Sequence, residues 1–355
     1  MVAKYVKFLF LIFVVLVITA CGNEDEQVTE NETEPQEVEE VEEVEEVVEQ
    51  EPAEPEFEHV YPFTGEPTNE DIDHRVVSVM INNAPAARPQ IGLTKADVVF
   101  EILAEGNITR LLALFHSEQP DMIGPVRSAR PYYFNLADDY GALYVHHGAA
   151  KFIEDMLKNG AADYLNGMYY DNDMHLFKRG DLRKPPHNSY VLFDGIYEVA
   201  TDKGYDITAD HRPMTFSTEE EVSIQGDAAT EVSFDYGSSN NVRYVYDGES
   251  EKYLRFNGQE QSADLETEEP VQLDNVLILE TAHAVVDDQG RREIDLQSGG
   301  KAYLLQKGKV QQVDWANDEG HLVPVKDGEV VPFVQGKTWI NVIPNSPGLA
   351  EVTIQ

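Results

Sequence analysis

The chain has 355 residues, with 66 acidic against 26 basic side chains and a formal net charge of −40. A field of that sign repels nucleic acid and anionic lipid headgroups, so any anionic ligand has to bind at a local basic cluster. Cys21 is the only cysteine, which excludes intrachain disulfides and leaves the fold to its apolar core.

Lys4 and Lys7 precede an apolar run from Phe8 to Ile18, and Thr19-Ala20-Cys21 comes next. A basic start, an apolar stretch short for a bilayer span and small residues before a break make a secretory signal. The cysteine behind the small residues resembles the bacterial lipobox. Residues 1–20 are therefore expected to be a signal peptide, and Cys21 the lipidated new N-terminus on the outer face of a cell membrane. One acyl chain holds a protein only marginally, so a multiply acylated Cys21, palmitate among its chains, is the expected anchor.

Residues 21–60 read as a tether. Between 22 and 58 stand 18 Asp and Glu and no Lys or Arg. Val38, Val41, Val44 and Val47 recur at a helix-like interval, but dense like charge and Pro35, Pro52 and Pro55 favour an extended, solvated segment. Self-repulsion stretches it and lifts the folded part off the membrane.

From 61 to 215 strands alternate with helices. Val76 to Ile81 and Leu111 to His116 read as strands, while Asp97 to Glu105 fits either strand or helix. Pro131 to Tyr140 reads as a helix with proline in its first turn, Leu143 to His146 as a strand, and Lys151 to Lys158 as an amphipathic helix stopped by Gly160. Gly195 to Asp202 is another helix. From 216 to 355 the pattern is alternating: Val242 to Tyr246, Lys252 to Phe256, Val276 to Glu280, Arg292 to Leu296, Ala302 to Leu305, Val310 to Trp315 and Thr338 to Ile343. Asp247-Gly248, Asn257-Gly258 and Lys307-Gly308 supply the turns. The expected fold class is α+β or α/β: an N-terminal α/β sandwich-like domain (61–215) that binds a ligand, then a mostly antiparallel β domain (216–355).

The most informative stretch is Gly124-Pro125-Val126-Arg127-Ser128-Ala129-Arg130-Pro131, between a strand and a helix. Free amides at that helix start, capped by Ser128, with the guanidinium groups of Arg127 and Arg130, would hold phosphate or carboxylate. Pairing of these arginines with nearby acids is the rival reading. Asn83, Arg88, Arg110, His187 and Asn188 are further candidate ligand residues at element ends. Glu101 and Glu105 are four apart, which puts them on one face of a strand or a helix, where they would hold a divalent cation such as magnesium or share acid–base work. A salt bridge to Arg110 or Arg127 is the alternative for them. Of the adjacent His146 and His147, only one can face a site, and His147 is the second candidate catalytic or metal-binding group. No His-Glu-x-x-His helix, Gly-x-Ser-x-Gly elbow, Walker loop or dinucleotide fingerprint is present.

Met80-Ile81-Asn82-Asn83, Arg88-Pro89-Gln90, Glu105-Gly106 with Ile108-Thr109-Arg110, Gly124 to Pro131, Pro186-His187-Asn188, Gly299-Gly300-Lys301-Ala302 and Gly336-Lys337-Thr338-Trp339-Ile340 together resemble the YerB-type lipoproteins of Gram-positive bacteria. Asp314 stands where that pattern has threonine before Trp315. The resemblance implies two domains and a membrane location, and no reaction. The order of strand, arginine-rich loop and helix is also similar to part of the LytR–CpsA–Psr enzymes, in which arginines hold a pyrophosphate and acids hold magnesium. Three functions are consistent with these residues: a non-enzymatic envelope lipoprotein binding an anionic cell-wall or lipid-linked ligand or a partner protein; a metal-dependent phosphotransferase on polyprenyl-linked glycopolymers; and a scaffold without a pocket.

Overall fold

The computed structural model describes residues 57–218, 224–237 and 240–355. The expected signal peptide, Cys21 and the tether up to residue 56 lie outside the described residues.

One large sheet organises the molecule. Its N-terminal part contains β1 (Val77–Asn82), β2 (Val98–Glu105), β3 (Ile108–Phe115), β4 (Leu143–His146) and β5 (Tyr164–Asn166). Three helices accompany these strands: α1 (Pro131–Asp139), α2 (Lys151–Lys158) and α3 (Asp194–Asp202). The later chain adds β6 (Glu231–Asp235), β7 (Asn241–Asp247), β8 (Lys252–Asn257), β9 (Asn275–Thr281), β10 (Gly300–Gln306), β11 (Lys309–Asp318), β12 (His321–Lys326) and β13 (Thr338–Pro344). Across the large sheet the order is β12-β11-β10-β9-β13-β2-β3-β1-β4-β5, with Glu329–Val330 beyond β12.

The segment 97–105 is a strand, because both its faces are covered. An apolar run buried on both sides needs no alternation. Val99 and Leu103 join one core with Leu111, Trp339 and Ile196 of α3, and with Phe234 and Tyr244 from the smaller sheet of β6, β7 and β8. Phe100 and Ile102 join the opposite core with Leu112, Phe134 of α1 and Ile153 of α2.

The molecule is mixed and mostly β. The expected picture of an α/β layer and then a separate β region misses one feature. Strand β13, near the C-terminus, inserts between β9 and β2 and runs parallel to both. Residues on either side of 215 therefore share one sheet and both cores, and the described residues form one compact unit.

Strands β1, β4 and β5 are parallel. Strand β3 is antiparallel to both β1 and β2, so β2 runs with β1, and β13 and β9 run with β2. Their carboxyl ends (Asn82, Glu105, His146 and Asn166) lie along one edge. Open sheets with parallel strands commonly bind ligands outside that edge.

Candidate anion-binding site

The segment before α1 crosses this edge. Val126 bridges Ile81, the Arg127 amide donates to the Met80 carbonyl, and the His147 amide donates to the Arg127 carbonyl. The Ala129 amide donates to the Gly148 carbonyl. Val126 and Ala129 are buried and anchor the segment, which leaves Arg127 and Ser128 half-buried. Ser128 does not cap α1, contrary to expectation. Pro131 occupies the first helical turn, so the cap position falls on Arg130, which makes no side-chain cap bond. Ser128 lies two residues upstream and offers its carbonyl to the Arg110 guanidinium instead.

Glu101 and Glu105 also depart from expectation. The register between β2 and β3 shifts between Leu103 and Glu105. Such a bulge inserts one residue and reverses the facing of the residues beyond it. Glu101 therefore lies with the Trp339 core, and Glu105 turns to the α1 side. There Glu105 receives two bonds of 2.9 Å from Arg110 and an ion pair from Arg130. Arg110 and Arg130 have only 4% and 7% of their side-chain surface exposed, so two buried cations share this one carboxylate.

Glu101 is sealed. Its carboxylate accepts from Arg255 at 2.7 Å, Asn83 at 3.0 Å, Thr109 at 2.8 Å and the Trp339 indole at 3.2 Å. Arg255 stacks over Trp339, 4.6 Å from the ring centre. Asn83 accepts from Arg88 at 3.1 Å and Gln90 at 3.0 Å, and Arg88 reaches Asn240 at 3.2 Å. Arg88 and Asn83 thus extend the buried Glu101–Arg255 network. These carboxylates do not fit a magnesium ion: one has four protein donors and the other two guanidinium groups. Among the described residues, no group of three or more His, Cys, Asp and Glu is placed to hold a metal.

Arg127 is different. Among the described residues its guanidinium has no carboxylate and no hydrogen-bond partner. Burial, and after it the charge of Arg110, pulls its pKa down to about 10. Two histidines feel its charge. Burial, then Arg179, with Arg127 as a smaller cause, lowers His147 to about 4. Burial, then Arg127 and Arg183, lowers His187. Both rings are neutral at pH 7, and their tautomers are set by their partners. Arg179 can only donate, so the His147 Nε2, 3.1 Å away, accepts, and Nδ1–H points to Ser189 Oγ at 2.6 Å. Asn82 Oδ1 accepts from the Ala84 amide, so its Nδ2 donates to His187 Nδ1 at 2.8 Å and leaves the His187 Nε2–H unpaired among the described residues. Asn188 braces Arg179 at 3.1 Å. Gly167 is required here, since a side chain would collide with the His147 ring.

These contacts bring Arg110, Arg127, Arg130, Ser128, His147, His187 and Asn188 together at the edge, and place Arg88, Asn83 and Glu101 in a buried network. At the edge one guanidinium and one imidazole N–H remain available to an anion.

Family models match this chain in two stretches. Residues 63–206 match the N-terminal domain described as "Protein of unknown function (DUF3048)", and residues 232–340 match its C-terminal domain. The chain belongs to the DUF3048 family. It is 45% identical over 288 residues to "Putative lipoprotein YerB" of Bacillus subtilis (strain 168), covering 80% of this chain and 86% of that protein. The crystal structure of the Bacillus subtilis YerB protein matches with a TM-score of 0.77 and 44% identity, over 84% of this chain and 99% of that one. The motif resemblance thus pointed to the right family. No helix among the described residues is long and apolar enough to cross a membrane.

Both family domains build the edge. Arg255 and Trp339, from the C-terminal domain, close Glu101 of the N-terminal one. Sequence reasoning overlooked them, although a signal existed: Arg255 is in phase with Tyr253, the inward residue of β8. Arg179 and Ser189, which hold His147, carried no signal, because a surface arginine and a strand serine are ordinary.

Proposed function

We propose that this protein is an exported envelope lipoprotein, anchored through Cys21, whose arginine segment at the carboxyl edge binds the anionic group of a cell-wall or lipid-linked ligand. The observation that carries this reading is the half-buried Arg127 guanidinium without a partner in a chain of net charge −40. A buried cation lacking a counter-charge is a standing cost, which a phosphate or carboxylate would offset. The unpaired His187 Nε2–H adds a neutral donor beside it. Binding rather than phosphoryl transfer is favoured, because neither Glu101 nor Glu105 is free to hold a metal. The relative named as a lipoprotein and the lipobox-like Cys21 support the anchor.

The test is binding of phenyl phosphate at low salt to the mature chain. Arg127→Ala should weaken it about 10- to 100-fold, the worth of one or two charge-assisted hydrogen bonds. The thermal midpoint should stay level or rise, since the substitution removes an unpaired cation. Undiminished binding in Arg127→Ala, or a large loss of stability, rules out this role for the residue.

A further inference from the structure

A hollow adjoins the arginine segment. The first turn of α1, the start of α2 and the hairpin formed by His283–Val285 and Arg292–Ile294 enclose about 410 Å³. The hairpin is held over this place by a bridge between Arg291 and Glu105 and by Arg292, which donates to the Gly106 carbonyl at 2.8 Å. The apolar wall is Phe152, Ile153, Val286 and Ile294. Phe152 and Val286 are 52% and 53% exposed, although the rest of the chain is strongly acidic. Exposed apolar side chains that face a common hollow are costly to leave wet.

Three of the four charged residues that line the hollow are cationic. Arg130 lies between the hollow and the rest of the arginine segment, its guanidinium paired with Glu105 and its Nε buried without a partner among the described residues. Arg291 pairs with Asp287 at 2.6 Å. Arg292 has no carboxylate partner among the described residues, and its Nε is likewise unpaired. Glu293 is the one acidic residue of the lining, on the exposed side. Three guanidinium groups beside an apolar wall, at the amino end of a nine-residue helix, complement a molecule with a negative head and an apolar body.

We infer that the ligand of this protein is an amphiphilic anion, a phosphate or carboxylate carrying a hydrocarbon chain, with its head on the arginine segment and its chain between Phe152 and Val286. This rests on the anion-binding reading above and adds the class of ligand.

The two readings separate in one titration of the full mature chain. Dodecyl phosphate, used below its micelle concentration, is compared with inorganic phosphate and with dodecanol. Dodecyl phosphate should bind at least about tenfold more tightly than either. Phe152→Ser and Val286→Ser should each shrink its advantage over inorganic phosphate to about threefold or less and leave inorganic phosphate unaffected, which also shows that the fold survives. Equal binding of the two phosphates overturns the amphiphile and leaves the anion site standing. So does an advantage that persists in both variants. Dodecanol binding as tightly as dodecyl phosphate shows a merely apolar hollow and overturns the class. If neither phosphate binds, both readings fall.

Discussion

Arg255 and Glu101 form an ion pair with 1% and 0% of their side-chain surface exposed, and it joins the two family domains. Its worth depends on every lone pair being used. Ser262 accepts from Arg255 Nη1 at 2.7 Å, while Asn83, Thr109 and Trp339 complete Glu101. Removing one partner strands a buried charge, at a cost of about 3–5 kcal/mol, whereas removing both spares that penalty. Arg255→Met and Glu101→Gln are each expected to fall in this range in urea unfolding, and the double variant to lose much less than their sum. Strictly additive losses would show that the pair is not coupled. Arg127 stands at the other extreme, a cation with no internal counter-charge, and for that reason the two arginines carry opposite expectations for stability.

At the scale of elements, the bulge in β2 is the device that builds the site. With regular alternation Glu105 would face the same core as Glu101, and Arg110 and Arg130 would lose their counter-charge. Deleting Ala104 leaves Glu105 next to Leu103 and opposite Ile108, still on the face of Arg110, so it should cost much less than Glu105→Gln, which strands two buried cations at about 3 kcal/mol or more. Ala104→Gly keeps the extra residue and should cost about 1 kcal/mol or less. A loss on deletion as large as that of Glu105→Gln in urea unfolding would show that Glu105 does not keep its arginines without the extra residue. The bulge was not legible beforehand. An even spacing of two glutamates says that they share a face only if nothing is inserted between them, and Val98–Glu105 is too uniformly apolar to reveal an insertion. Helix α1 was legible, since Pro131 marks its first turn in the sequence itself; the identity of its cap was not, because Ser128 is a good capping type at the wrong distance.

At the scale of the molecule, five buried or half-buried histidines make the fold sensitive to acid. Burial lowers His116 and His283 to about 3, and His146, His147 and His321 to about 4. Each stays neutral when folded and takes a proton near pH 6.5 when unfolded. Their contribution is therefore complete above pH 6.5 and is lost as the pH falls from there towards 4 and 3. Asp97 acts in the other direction. Burial outweighs its bonds to Ser117 and His116 and raises it to about 6, so between pH 6 and 3.8 acid favours the folded form at that one group. With His187 and His211, seven lowered histidines outnumber the raised carboxylates Asp97, Asp138 and Asp139, which predicts a thermal midpoint that declines steadily from pH 7 to pH 4, as read by calorimetry or circular dichroism. A flat profile across that range would show that these rings are not held neutral.

The sequence by itself determined what depends on neighbours along the chain. The acidic composition, the helix at Pro131, the strand ending at His146 and the hairpin turns are all local, and the motif pattern named the family. Tertiary structure alone decided which charges are used. Insertion of Thr338–Pro344 beside Val98–Glu105 brings Trp339 onto Glu101, 238 residues away along the chain. A single extra residue in that strand separates Glu101 from Glu105 through its register with β3. Pairing of a buried charge is a property of three-dimensional distance, and distance along the chain does not encode it.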